Sequence, residues 1–258
     1  MSLPGDSGRY GLAWLVAGLI AFVFCAHDIL VRDTDWTRMM AGHPWETLAR
    51  FGRPDLTLLP DLLAPALETV LMATLASFVG LVLALPVAWL GAANISPFGL
   101  ISFTAGRSLM TLSRSVHEMV WALLFVSAVG LGALPGILAL AVRSVGFLAR
   151  TLAEAIEDVA PGPIEAIRAT GGSPFQVVLF GIVPQVLPTF VGCVIFEWDI
   201  NIRRSTILGL VGAGGLGLAL FRQMARADYA GVAAVILVVL ALILAGEIIS
   251  DRARKAVI

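Results

Sequence analysis

The chain has 258 residues, 59% of them hydrophobic and only 14% charged, with a mean hydropathy of +0.93. An average soluble domain carries about 25% charged residues, so lipid must solvate part of this surface, and a disordered chain is excluded. The 17 basic and 18 acidic residues leave a net charge of −1 and no basic excess for nucleic acid, while Cys25 and Cys193 sit inside apolar runs, which argues against a disulfide framework or a zinc cluster.

A helix needs about 20 apolar residues to cross a membrane, and six stretches qualify. The first runs from Gly11 to Val31 behind a short polar leader. No small-x-small cleavage site follows it, so it reads as a retained anchor. Residues 33–61 mix Trp36, Met39, Met40, Trp45, Leu48 and Phe51 with charges, the pattern of an interfacial helix. The division expected is an anchor plus interfacial helix over residues 1–60 and a membrane domain over residues 61–258.

The second span runs from Ala66 to Ala92, with Glu68 near one end, Pro86 near the other and a turn at residues 94–97. The third, Phe98 to Leu131, is too long for one straight crossing and carries Arg107, Arg114, His117 and Glu118 in its middle. That predicts a broken or tilted element, ended by Gly130, Gly132 and Pro135-Gly136. The fourth runs from Ile137 to Ile156. The fifth, Phe175 to Phe196, should bend at Gly181, Pro184 and Pro188. After a glycine-rich stretch and a short amphipathic piece bearing Arg222 and Arg226, the sixth runs from Tyr229 to Ile249. An open sheet cannot satisfy its backbone in lipid, so the fold class is an all-α integral membrane protein with about six transmembrane helices. Arg252, Arg254 and Lys255 favour a cytoplasmic C-terminus, but six crossings then leave Arg32, Arg38, Arg50, Arg53, Arg222 and Arg226 outside, against the usual bias. Charge leaves the topology open.

Three constellations stand out. Gly212, Gly214, Gly215 and Gly217 lie in a literal G-x-G-x-x-G. No acid stands at the ribose-binding distance, so a tight loop or plain helix packing replaces the dinucleotide reading. Next, residues 161–174 predict a helix of about two turns lying between two spans. Pro163 suits its first turn, Glu165 its positive end, and Gly171 its C′ position, while Ser173 and Pro174 start the next helix. Finally, Arg107, Thr111, Arg114 and Glu118 are spaced 4, 3 and 4 apart, on one face of a continuous helix. Arg114–Glu118, Asp199–Arg203 and Arg150–Glu154 are then candidate i,i+4 ion pairs.

Glu165-Ala166, then Gly171, then Pro184 match the spacing of the EAA motif of ABC importer permeases, with Ile167, Gly181 and Val183 replacing other motif positions. Residues 114–132 resemble the phosphonate- and phosphate-type permeases, although His117 stands where a proline is usual. Trp198-Asp199-Ile200-Asn201-Ile202-Arg203 and its continuation through Gly209 to Gly217 resemble them too. The likeness spans residues 61–250. It implies a type I, MetI-like permease core with an added N-terminal helix, in a bacterial inner membrane. Such a subunit works by alternating access in an importer for phosphonate, phosphate or a related oxyanion. It implies as partners a cytoplasmic ABC ATPase dimer, an extracytoplasmic binding protein and a second permease copy, a homodimer being favoured over a paralogous pair.

The resemblance assigns ATPase coupling to Glu165, Ala166, Arg168 and Gly171. Candidates for the translocation path are Arg107, Arg114, His117, Glu118, Asp199, Asn201 and Arg203; Arg114 and Arg203 suit an oxyanion because guanidinium stays charged. The segment of Gly209, Gly212, Gly214, Gly215 and Gly217 is expected to be an irregular loop beyond the far face of the bilayer. No catalytic, cofactor or metal site is expected in this chain. A P-loop needs a lysine before Ser or Thr, and the sole lysine, Lys255, precedes Ala256, so ATP and Mg are expected on the partner ATPase. An importer for methionine or a quaternary amine is the alternative. A membrane enzyme or channel is a further one, though His27, His43 and His117 are scattered without ligand spacing.

Overall fold

The structure, a computed structural model, describes residues 7–33, 35–41 and 44–257. The polar leader before residue 7, His43, and the side chains of Met39 and Leu48 invoked for the interfacial helix lie outside the described residues. Among the described residues there is no strand. The chain divides into two compact units, residues 1–50 and residues 51–258.

In the first unit, helix α1 (Ser7–His27) continues as a π-helical turn over Asp28–Asp33, followed by α2 (Trp36–Ala41) and α3 (Pro44–Phe51). The single interfacial helix expected over residues 33–61 is therefore corrected to two short helices, with a further 3-10 turn at Leu56–Leu58. The reason is local. Pro44 can open a helix but not continue one, and the Asp55 side chain accepts the Thr57 amide at 3.0 Å, which starts a new turn.

The second unit holds α4 (Leu59–Gly91), α5 (Leu100–Ser115), α6 (Glu118–Val129), α7 (Ala133–Glu157), α8 (Pro161–Ala169), α9 (Pro174–Gln176), α10 (Val183–Leu208), α11 (Gly215–Ala225) and α12 (Tyr229–Val257). Among the described residues, five helical segments are long and apolar enough to cross a membrane: Ala13–Val31, Leu56–Gly91, Ala133–Glu157, Pro174–Val211 and Tyr229–Lys255. The pair α5 and α6 makes a sixth if counted together, but it bends by 88°. The break expected in the third span thus falls at Val116 and His117, both extended. Pro135 and Gly136, expected to end that span, instead sit in the first turn of α7, where a proline costs no hydrogen bond.

The fifth span is longer than expected, running on to Leu208, with its irregularity concentrated in a π-helical turn at Val177–Ile182 just before Pro184. A proline removes the amide that would continue an ordinary helix, and a wider turn accommodates this.

Helices α4 and α7 form the most extensive pair. In lipid there is no hydrophobic drive between helices, so close backbone approach through small residues must supply the packing. Helix α4 provides Ala76, Gly80, Ala84 and Ala88, all buried at a four-residue spacing. A Cβ on Gly80 would fall 2.5 Å from the Cβ of Ser144 on α7, so only glycine permits this approach.

Candidate functional site

Helix α8 is positioned by its ends. Pro161 and Pro163 occupy its first turn, and the Ala160 amide before it donates to Gln185 Oε1 at 3.0 Å. At the other end the Gly171 amide reaches the Arg168 carbonyl and the Gly172 amide the Ile167 carbonyl, each at 3.0 Å, with Gly171 at φ +78°. This is the left-handed stop that the sequence predicts. Ser173 then caps the next helix in a reciprocal box with Gln176. Ile164 and Ile167 turn inward, whereas Glu165, Ala166 and Arg168 are exposed. A groove of about 740 Å³ opens beside α8, lined by Trp89, Ile95, Ile164, Arg168 and Phe175 among others. The helix is thus anchored at both ends with a polar face free for a partner.

Arg107 sits at this same end. Its Nη2 donates to both carboxylate oxygens of Glu157 at 2.8 Å, and its Nε to the Gly91 carbonyl at 2.9 Å. It ties α5 to the C-terminal ends of α4 and α7. Arg150 pairs with Glu154 at 2.7 Å as the spacing predicts.

About halfway along α7 lies a buried polar network. Glu197 on α10 is 1% exposed; its Oε1 accepts from Ser144 Oγ at 2.9 Å and from Arg204 Nη1 at 3.1 Å. Asn201, one turn on, donates to Ser77 Oγ on α4 and Ser144 Oγ on α7, both at 2.9 Å. Arg204 Nε also lies 3.5 Å from Glu118 Oε1 at the start of α6, and Arg143 Nε lies 4.0 Å from Glu118 Oε2. His117 caps α6 by accepting the Met119 amide on Nδ1, with Nε2 3.8 Å from Glu118. Three helices, α4, α7 and α10, are joined through uncharged hydrogen bonds, and α6 is added through charge.

This arrangement corrects two expectations. Arg107, Thr111, Arg114 and Glu118 do not share one helical face, because the helix stops at Ser115 and restarts 88° away. Nor does Arg114 pair with Glu118. Among the described residues its side chain has no acidic partner, and its carbonyl instead accepts from Arg143 Nη1 at 2.8 Å. The Asp199–Arg203 pair does form, at 2.8 Å, with Glu247 of α12 a further 3.6 Å from Arg203. Glu197, Arg204, Arg143 and Ser144 were not singled out from sequence, although Glu197, Asn201 and Arg204 at i, i+4 and i+7 share a face of α10.

The glycine segment needs a partial correction. Gly209 begins a 3-10 turn, Gly212 is left-handed at φ +89°, and Gly214 precedes α11, but Gly215 and Gly217 belong to that helix rather than to a loop. All five glycines are buried within this chain. The N-terminus of α11 is held by α4: the Gly215 amide donates to Glu68 Oε2 at 3.1 Å and the Leu216 amide to Thr69 Oγ1 at 2.9 Å. Glu68, on a helical span, thereby supplies a negative charge to a positive helix end. Thr69→Val should remove two hydrogen bonds, that from the Leu216 amide and that from Thr69 Oγ1 to the Pro65 carbonyl at 2.8 Å, and lower stability by about 1–3 kcal/mol, readable as a fall in thermal midpoint.

The sequence matches the family described as "Binding-protein-dependent transport system inner membrane component" over residues 84–258. It is 38% identical over 255 residues to the phosphite transport system permease protein PtxC of Stutzerimonas stutzeri, covering 95% of this chain and 91% of that one. It is 34% identical over 253 residues to the phosphate-import permease protein PhnE of Mycolicibacterium smegmatis, covering 97% of this chain and 46% of that longer one. Among solved structures it resembles an inward-facing form of the MetNI methionine ABC transporter, with TM-score 0.65 and 26% identity over 79% of this chain and 99% of that one. The helical architecture, the membrane-spanning segments and these matches together place the chain in the family of inner membrane permease components of binding-protein-dependent ABC importers.

Proposed function

We propose that the chain is the permease subunit of an importer for phosphorus oxyanions of the phosphite, phosphate and phosphonate class. The observation that carries this reading is identity of 34–38% across most of the chain to permeases whose names specify phosphite or phosphate. The probable D-methionine transport system permease protein MetI of Vibrio cholerae, by contrast, is 27% identical over 60% of the chain. Two copies of the chain would enclose the path, an extracytoplasmic binding protein would deliver the anion, and a cytoplasmic ATPase dimer would bind ATP and Mg. ATP-driven closure of that dimer would switch the path between outward and inward access.

In this reading α8 is the ATPase contact. Glu165, Ala166 and Arg168 are exposed on it, two of them charged, and Gly171 sets the direction in which the chain leaves. The structure starts α8 at Pro161, so Glu165 stands mid-helix rather than at the positive end expected from sequence. Glu165→Lys therefore acts by reversing an exposed charge and removing an acceptor for a partner arginine. It should leave insertion and thermal stability unchanged, because nothing inside the chain depends on this exposed side chain. Co-purification of the ATPase and its stimulation by loaded binding protein should both be lost. ATPase stimulation equal to wild type in Glu165→Lys would remove α8 from the coupling role. Arg114, His117 and Glu118, which flank the α5–α6 break, and Asp199, Asn201 and Arg203 on α10 remain the candidates for the path.

A further inference from the structure

The charges around the α5–α6 break are arranged unlike a finished ion pair. Arg143 Nε and Arg204 Nε approach Glu118 only to 4.0 and 3.5 Å, and neither closes into a hydrogen bond. Elsewhere the same side-chain chemistry closes to 2.7–2.8 Å, at Arg107–Glu157, Arg150–Glu154 and Arg203–Asp199. Each guanidinium spends one Nη on a firm partner, the Arg114 carbonyl for Arg143 and Glu197 for Arg204, and turns its Nε toward Glu118. A guanidinium has five N–H donors in a planar fork suited to tetrahedral oxyanions. The side chains are 26% and 19% exposed, so water reaches them, and His117, 3.8 Å from Glu118, is 65% exposed.

Glu118 is also the first residue of α6, directly after the extended pair Val116 and His117 where the chain turns by 88°. A carboxylate at such a corner can leave its arginines without unwinding a helix. Arg143 lies 14 residues before Glu157, so the group sits about 21 Å along α7 from the end that carries α8.

We propose that Arg143 and Arg204 form a transient site for the phosphorus oxyanion, with the Glu118 carboxylate as the counter-ion that the anion displaces; this rests on the oxyanion reading above. Exchange of one oxyanion for another leaves the local charge nearly constant, so neither state strands two guanidiniums in a poorly hydrated setting. Competition from Glu118 keeps the site weak, as passage requires. Glu197 holds Arg204 from the buried side and fixes its direction.

The test uses the assembled transporter in proteoliposomes, with Cys25 and Cys193 replaced by serine and His117→Cys as reporter. Ser115→Cys, exposed at the end of α5, serves as a second reporter. The rate of modification by a neutral methanethiosulfonate is measured in inorganic phosphate and in chloride at equal ionic strength. Phosphate should slow modification severalfold, and Arg143→Gln should abolish the protection while Arg143→Lys retains part of it. In Glu118→Gln half-protection should move to at least about tenfold lower phosphate, because a competing charge within 4 Å is gone. Equal rates in phosphate and chloride at both reporters, or full protection in Arg143→Gln, would overturn the site. Oxyanion uptake by the unmodified transporter would still support the proposed function in that event, whereas absence of that uptake counts against the function itself.

Discussion

Gly217→Ala is expected to prevent normal folding of the α10–α11 corner. A Cβ at this position would overlap the Thr206 carbonyl oxygen and stand 2.7 Å from the Gly209 Cα. These are backbone atoms, so no side-chain rotation relieves the collision, and the strand of chain between residues 209 and 217 has to open. Overpacking of a core by one methyl costs about 1–3 kcal/mol where side chains can yield, and the cost here should lie at or beyond the top of that range. The expected result is a large drop in monodisperse protein after solubilisation and a thermal midpoint well below wild type. Gly18→Ala, with nothing within 4 Å of the added carbon, is the control and should leave the midpoint unchanged. A wild-type midpoint in Gly217→Ala would mean that the two segments do not cross as closely as described.

The second large effect concerns the buried acid. Arg204→Met should destabilise the chain by about 3–5 kcal/mol, because it leaves Glu197, 1% exposed, with no cation in hydrogen-bonding contact. One oxygen, Oε2, already lacks a hydrogen-bond partner among the described residues, so the carboxylate has no reserve. Adding Glu197→Gln to Arg204→Met removes the charge but keeps an acceptor for Ser144, and should recover most of the lost stability. The readout is thermal unfolding of the single and double variants in one detergent. A double variant no more stable than Arg204→Met would show that the cost comes from lost packing rather than from a stranded charge.

Much of this structure could be read from local signals. The capped helix at residues 161–169 follows from Pro161, Pro163 and Gly171, each of which acts on its own turn of chain. The apolar runs of α1, α4, α7, α10 and α12 announce themselves by length. The break between α5 and α6 was legible as a span too long and too charged, though not as a right-angled corner. What sequence did not reveal is long-range pairing. Glu118 looked committed to Arg114 four residues earlier, but its cations come from α7 and α10. Glu68, placed by sequence only near one end of the second span, caps a helix that begins 147 residues later. Two signals went unused although they were local: the small residues at positions 76, 80, 84 and 88, and the common face of Glu197, Asn201 and Arg204.

The glycine segment shows the same limit. A row of glycines signals close approach without saying to what. In this structure Gly209 and Gly217 close on each other inside one chain. Their burial packs the corner between α10 and α11 tightly within the chain.

The most direct measurement is substrate uptake by the reconstituted transporter. Proteoliposomes carrying this chain with its ATPase and binding protein should accumulate radiolabelled phosphite or phosphate when ATP is supplied to the ATPase side. Accumulation should stop with Glu165→Lys or without ATP, and methionine should not be taken up. ATP-dependent uptake of methionine with no uptake of any phosphorus oxyanion would contradict the account.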